Sequence, residues 1–337
     1  MINNSLDKKK TISKDNSVPD EKLYLDKALR PEHFDDYIGQ ETIKNNLFIL
    51  LESAKGRNAP PEHILFHGPP GLGKTTLAHI IARTLNTNIK ITSGPTLTKI
   101  GDLAAILTNL QPNDVLFIDE IHRLNKTIEE VLYPAMESGV LDIIIGKGPA
   151  ARSIQLDLPP FTLVAATTRT SLISAPLRSR FSGGSYRLEN YTNDELAKII
   201  VRSAKVLNVD INYESSLEIA RRSRGTPRIA NFYLKRVRDF ALFHKSEINT
   251  ELVNKCLELL EIDTLGLGKI EIDYLKTVNN KFGGGPVGLA TLAAALNEDA
   301  GTLEDVVEPY LLNLGFIDKS IKGRNITESG KSHINKG

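Results

Sequence analysis

The chain has 337 residues, 41% hydrophobic and 25% charged, enough for two or three domains with real cores. Forty-two Lys and Arg against 41 Asp and Glu leave a net charge of +1, so any basic surface for a nucleic acid must be local. No apolar run reaches the roughly eighteen residues of a membrane span, and a single cysteine, Cys256, excludes a disulfide framework or multi-cysteine zinc site.

Cys256 reads as a small buried hydrophobe on a helix, and the compartment expected is the cytoplasm. Residues 1–23 carry lysines with no apolar core behind them, so they read as a disordered tail rather than a secretory or transit signal.

From about residue 40 to 189, short apolar runs alternate with helix-like stretches. Ile43, Leu47, Leu50, Leu51 and Ala54 have the spacing of an amphipathic helix over 42–55. Residues 63–67 (HILFH), 89–93 (IKITS), 115–120 (VLFIDE) and 161–168 (FTLVAATT) read as strands buried on both faces. Alternating with helices, they predict a parallel, helix-covered sheet, an α/β fold. Between the last two strands, residues 141–160 hold two β-type runs around GKGP, the pattern of a projecting hairpin.

After Glu189 the pattern turns helical. Helices are predicted over 194–207, 214–223, 227–244 and 250–260, broken by RGTP at 224–227, which makes a small all-helical domain. Residues 263–269 (DTLGLGK) read as a short linker. Helices over 271–281, 288–296 and 302–314, then a terminal hairpin, follow the order of a winged helix-turn-helix.

The chemistry concentrates in GPPGLGKTT at 68–76, which follows a strand and opens a helix, the context a phosphate-binding P-loop requires. Gly68, Gly71 and Gly73 let backbone N–H groups turn inward, and the helix N-terminus adds partial positive charge. Lys74 supplies an ammonium for the β- and γ-phosphates, and the Thr75 hydroxyl suits Mg²⁺. In VLFIDEIH, two acids end a buried strand, where ligands bind in such sheets. Asp119 is expected to hold Mg²⁺ through a water, and Glu120 to polarise the attacking water. His122 reads as a structural neighbour, since no second histidine sits at ligand spacing. Thr168, at the tip of ATTR (166–169), is positioned to sense the γ-phosphate. In LRSRF (177–181), Arg180 is the candidate finger for the developing charge, with Arg178 its nearest rival.

Together the P-loop, DEIH, ATTR, LRSRF and GTPR (225–228) resemble the AAA+ ATPases. RPEHFDDYIGQ (30–40), EEVLYPAMES, GPAARSIQLDLPPF, RGTPRIAN, GGPVGL and EDVVEPYLLNLGFI narrow the resemblance to the RuvB family of bacterial Holliday-junction branch-migration motors, over residues 24–326. That resemblance implies a tail over 1–23, a large AAA+ ATPase domain over 24–190, a helical lid over 191–262 and a DNA-binding winged helix over 263–337. It also implies a homohexameric ring on duplex DNA, ATP and Mg²⁺ as cofactors, RuvA and the RuvC resolvase as partners, and roles in recombination, repair and the SOS response. By motif, Leu29 and Arg30 would meet the adenine end of ATP. Gly71, Lys74, Thr75 and Thr76 would cradle its phosphates, and Tyr191 and Arg228 would close the lid. Thr168 would be the first sensor, Arg228 the second, and Arg180 a finger acting in trans. The hairpin would dock on RuvA through Ile143, Ile144 and Ile145.

Two departures stand out. The family continues its finger motif as RFG and an apolar strand, whereas this chain reads RFSGGSYRLENY, an insertion expected to alter the path beside Arg180. The family's terminal hairpin is richer in arginine, and here Lys319, Lys322 and Arg324 take those places as DNA contacts. Residues 315–337 hold five Lys/Arg against two Asp/Glu, a local +3, enough for backbone contacts. The leading reading is an ATP-driven DNA translocase without base readout. The alternatives are an ATP-gated winged-helix regulator and a clamp-loader-like AAA+ protein.

Overall fold

A computed structural model of the chain describes residues 28–145 and 152–335. The expected tail over 1–23 and the GKGP turn of the hairpin lie outside the described residues. The chain divides into two compact units, Met1–Arg30 and Pro31–Gly337, and everything below concerns the second unless stated.

The second unit opens with helix α1 (Glu41–Arg57), whose buried face is Ile43, Leu47, Leu51 and Ala54. Five parallel strands follow: β1 (Ile64–His67), β2 (Ile89–Ser93), β3 (Val115–Asp119), β6 (Thr162–Thr167) and β7 (Ser185–Arg187), in the spatial order β2-β3-β6-β1-β7. Registers run Ile64 against Val164 and Val115 against Thr162. Side-chain alternation splits the central strands between two cores. Phe66, Phe117 and Val164 face α1, α2 (Lys74–Leu85) and the lid helices. Leu65, Leu116 and Leu163 face α3 (Ile100–Thr108) and α4 (Lys126–Glu137), the latter capped by Asn125 accepting from the Ile128 N–H at 2.9 Å.

The hairpin pairs β4 (Val140–Ile145) with β5 (Arg152–Asp157), antiparallel, Ile143 opposite Ile154. After the RFSGG run, Ser185–Arg187 form β7, a fifth strand not predicted from the sequence. Gly183 donates its N–H to the His63 carbonyl at 2.9 Å, and a Cβ on it would come within 2.6 Å of the Glu62 carbonyl, so only glycine brings the edge strand this close. Where the family has an apolar continuation, this chain has a polar edge (Ser185 and Arg187 exposed, Tyr186 half-buried), as an edge strand tolerates.

A short helix α5 (Ala175–Arg178) precedes β7, and the lid is α6 (Asn193–Val206), α7 (Tyr213–Arg221), α8 (Pro227–His244) and α9 (Thr250–Leu259). Thr192 and Glu195 form a capping box, and Pro227 sits in the first turn of α8. Cys256 is buried in the core that the lid shares with the sheet. The winged-helix domain has its own core around Tyr274, Leu303 and Leu311. It comprises α10 (Lys269–Lys276), α11 (Leu289–Leu296), α12 (Glu308–Asn313) and a hairpin of β8 (Ile317–Ser320) and β9 (Gly323–Ile326). A last helix, α13 (Glu328–Ile334), lies beyond the predicted terminal hairpin, capped by Thr327. No described helix is long and apolar enough to cross a membrane.

Candidate nucleotide site

The strand order brings the C-terminal ends of β3, β6 and β1 side by side, so three segments far apart in sequence meet. The P-loop leaves β1 tied to its neighbour, the Gly68 N–H donating to the Thr167 carbonyl at 3.3 Å. Gly68, Gly71 and Gly73 have φ of +131°, +82° and +101°, backbone that L side chains rarely adopt. Behind Gly73 stands Tyr37, whose hydroxyl would lie 2.8 Å from an added Cβ. Lys74 is 7% exposed, and its Nζ donates to the Gly68 and Pro69 carbonyls, both at 2.8 Å. Burial pulls its ammonium below the usual lysine range, partly offset by Asp119 and Glu120. Thr75 and Thr76 are half-buried in the first turn of α2. Loop carbonyls thus hold in reserve a cation suited to phosphate oxygens.

Asp119 ends β3, with Oδ1 accepting from the Glu120 N–H at 2.9 Å. Glu120 has φ +50°, a left-handed conformation costly for a side chain and of the kind found at functional sites. His122 bridges the site: Nε2 lies 3.4 Å from Glu120 Oε2, and Nδ1 lies 3.0 Å from Thr167 Oγ1. Burial holds its imidazole below the ordinary histidine pKa. Thr167 also accepts from the Arg169 N–H at 3.0 Å and is fully buried, whereas Thr168 is exposed. The predicted sensor therefore faces out, on a strand end held by Thr167. His122 is the structural neighbour expected of it, and the pattern TT alone could not assign the two threonines.

The lid closes on the loop through GTPR. A Cβ on Gly71 would meet Thr226 Cγ2 at 2.8 Å and Arg228 Cβ at 3.1 Å, and Arg228 itself is exposed. Tyr191 lies beneath the P-loop: its hydroxyl donates to the Leu72 carbonyl at 3.2 Å and lies 3.0 Å from Tyr37 Oη, and burial pushes it up to about 12. Tyr37 was not singled out by sequence reasoning, because its only signal lay inside RPEHFDDYIGQ. Leu29 and Arg30 end the other compact unit, and their adenine contact stays an expectation of the resemblance.

Arg180 lies outside this cluster. Its Nη1 donates to the Pro176 carbonyl at 2.7 Å and its Nη2 to Glu137 Oε2 at 2.6 Å, with the guanidinium 4.7 Å from the Tyr133 ring centroid. In the wing, Arg324 corrects the sequence reading. It is 8% exposed and bonds Glu308 twice, at 2.8 and 3.1 Å, so it is a core ion pair and not a free phosphate contact. Lys319 donates to Glu304 at 2.6 Å, and Lys322 is exposed. Among the described side chains of the β4–β5 hairpin, Ile154 and Leu156 are exposed; those of Ile143, Ile144 and Ile145 lie outside them. No group of three or more His, Cys, Asp or Glu forms a metal cluster among the described residues.

Three family models match in succession: the Holliday junction DNA helicase RuvB P-loop domain over 29–187, the RuvB AAA lid domain over 191–263 and the RuvB C-terminal winged helix domain over 264–335. The Holliday junction branch migration complex subunit RuvB of Fusobacterium nucleatum is 52% identical over 320 residues, 95% of this chain and 96% of that protein. The solved RuvB Holliday junction branch migration motor of Thermotoga maritima superposes with a TM-score of 0.81 at 50% identity, covering 91% of this chain and 98% of that one. A point mutant of the same Thermotoga protein matches at 0.82 and 51%, with the same coverage.

Proposed function

Because the chain belongs to the RuvB family, we propose that it is a Holliday-junction branch-migration motor, an AAA+ ATPase that turns ATP hydrolysis into movement of duplex DNA. The observation that carries this is the meeting of P-loop, acid pair and sensor strand at one sheet edge, in a chain whose three successive segments all match RuvB models. That succession supports a motor over an ATP-gated regulator or a clamp-loader-like protein.

Each residue has a task in this reading. Lys74 leaves the Gly68 and Pro69 carbonyls for the β- and γ-phosphates. Gly71, Thr76 and the N-terminus of α2 cradle them, and Thr75 and, through a water, Asp119 face the metal. With no protein metal cluster among the described residues, a Mg²⁺ would take most ligands from phosphate and water, as this ion prefers. When bound it screens the charge between the β- and γ-phosphates. Glu120 takes the proton of the attacking water, with its carboxylate beside His122, whose other nitrogen meets Thr167. Thr168 and Arg228 read the γ-phosphate from strand end and lid, and Tyr191 keeps the lid on the loop. Arg180 serves the site of the next subunit in a homohexameric ring.

Lys319 and Lys322 touch duplex phosphates without reading bases. The hairpin docks on RuvA, and RuvC acts on the same junction. The protein works in the cytoplasm, in recombination, repair and the SOS response. ATP-dependent dissociation of a synthetic four-way junction tests this directly. The full chain should dissociate it, faster with RuvA, and Lys74→Ala should abolish both hydrolysis and dissociation. Migration retained in Lys74→Ala would overturn the motor reading.

A further inference from the structure

Two arginines leave the nucleotide-facing loops and enter the winged-helix domain. Arg224 opens the loop RGTPR and has a left-handed backbone, φ +52°, which long side chains seldom adopt. The residues after it face the P-loop. The Gly225 carbonyl accepts from the Tyr191 N–H at 2.9 Å, and Thr226 and Arg228 press on Gly71. The Arg224 side chain goes the other way. Nε donates to the Gly266 carbonyl at 2.7 Å, Nη1 to Glu271 Oε1 at 2.6 Å, and the guanidinium stacks 4.8 Å from the Tyr310 ring centroid.

Those partners are themselves fixed. Glu271 is 3% exposed, and its other oxygen accepts from the Gly268 N–H at 3.0 Å. The Tyr310 hydroxyl donates to the Leu265 carbonyl at 2.6 Å. The segment predicted as a plain linker is a locked turn. Asp263 Oδ1 accepts from the Leu265 and Leu267 N–H groups at 2.8 Å, and Oδ2 meets His333 Nε2 at 2.6 Å. A Cβ on Gly266 would come within 2.2 Å of the Arg222 carbonyl.

The second arginine is Arg169, next to Thr168. Its guanidinium pairs with Asp305 of the winged-helix domain, and both side chains are about half exposed, so the pair is weak by itself. The Arg224 guanidinium is partly buried and divides its bonds between the Gly266 carbonyl and the buried Glu271 carboxylate, which would be costly to leave without its cation.

We infer that Arg224 is a positioning residue that makes the winged-helix domain follow the nucleotide-facing RGTPR loop, with Arg169–Asp305 a weaker second tie from the sensor strand. This rests on the motor reading above. A shift of Thr226 and Arg228 against the P-loop passes along two residues of backbone to Arg224. From there it reaches α10 through Glu271, α12 through Tyr310 and the connector through Gly266. Anchored at its tip, Arg224 has little freedom to absorb the shift. Its strained backbone marks a place where side-chain anchoring outweighs local conformational preference.

Arg224→Gly isolates the effect, since glycine accepts the left-handed backbone and removes only the anchor. The readout is hydrogen exchange of α10 and α12 in the full chain, with ADP and with a non-hydrolysable ATP analogue. In the unsubstituted protein, protection of these helices should differ between the two nucleotides. In Arg224→Gly that difference should fall by about five-fold or more, with nucleotide affinity and basal hydrolysis within about two-fold and stimulation by duplex DNA lost. Arg224→Lys should restore part of the difference. An unchanged difference in Arg224→Gly overturns the inference. So does faster exchange of these helices by the same amount in both nucleotide states, which would make Arg224 a structural prop. Failure of the unsubstituted protein to dissociate a junction would sink the motor reading instead, and the exchange comparison would still report on Arg224.

Discussion

Arg180 is tied to Glu137 of its own chain, Nη2 to Oε2 at 2.6 Å, over the face of Tyr133. Glu137 lies 43 residues earlier, at the end of α4. With Nη1 on the Pro176 carbonyl and Nη2 on Glu137, both terminal nitrogens are engaged, so reaching a phosphate in the next subunit of the proposed ring means giving up these contacts, the Glu137 carboxylate among them. Arg180→Ala should lower turnover about a thousand-fold with nucleotide binding retained. Mixing Arg180→Ala with Lys74→Ala subunits should recover hydrolysis, because some interfaces then join an intact loop to an intact finger. Glu137→Gln should raise turnover, by no more than about five-fold, since the Glu137 side chain is well exposed. Steady-state hydrolysis measures all three, and a fall in Glu137→Gln would show that the contact aims the finger rather than restraining it.

Gly183 lets the edge strand approach β1. With Ala at this position the new Cβ meets the Glu62 carbonyl at 2.6 Å, a clash with backbone that cannot rotate away. Gly183→Ala should cost about 1–3 kcal/mol and lower the melting temperature by several degrees. The exposed neighbour Ser182→Ala should leave it unchanged. Equal melting temperatures for the two variants would refute the close approach.

In the wing, Arg324 and Lys322 should separate stability from DNA binding. Glu308 is 1% exposed and shares its oxygens among Arg324 and Tyr274. Arg324→Ala removes the cation bonded to that buried carboxylate, leaving only Lys319 at 3.7 Å, and should cost about 3 kcal/mol in denaturant unfolding. Lys322→Ala should not change stability, but should lower the salt slope of duplex binding by about one. A stable Arg324→Ala that binds DNA weakly would restore Arg324 as a phosphate contact.

The Tyr191–Tyr37 pair gives a pH signature. Burial pushes the Tyr191 hydroxyl up to about 12, against about 10 in an unfolded chain. The folded chain therefore keeps a proton that the unfolded chain has lost. Stability should fall as pH rises from about 10 towards about 12, by up to roughly 2–3 kcal/mol. Tyr191→Phe should flatten the decline in thermal melts over that range, though not remove it, since burial also raises Tyr37. An equally steep decline in Tyr191→Phe would contradict the assignment.

Most of the nucleotide site was legible in the order of residues. Glycines that need φ above zero, a lysine and threonine opening a helix, and two acids closing a run of buried residues are local patterns, set by backbone sterics and side-chain period. The same periodicities predicted four of the five sheet strands and the lid helices, because one helical turn or one strand pleat is all they sample. The fifth strand escaped because its residues are polar, and its position rests on how closely Gly183 can approach Glu62 and His63.

What only the tertiary structure decided are pairings between residues far apart in sequence: Tyr191 with Tyr37, Arg180 with Glu137, Arg224 with Glu271, Arg324 with Glu308. An arginine reads the same in sequence whether it ends in solvent, in a buried carboxylate or in a neighbouring domain. Packing makes that choice, through the direction each side chain takes from its element and the cost of burying a charge alone. The order of residues determined the chemistry of the P-loop and the acids at the strand end. The fold determined that Thr167, not Thr168, is the buried one and that Arg324 is a strut of the wing core. It also determined that the loop closing over the P-loop is the one whose Arg224 grips the winged-helix domain.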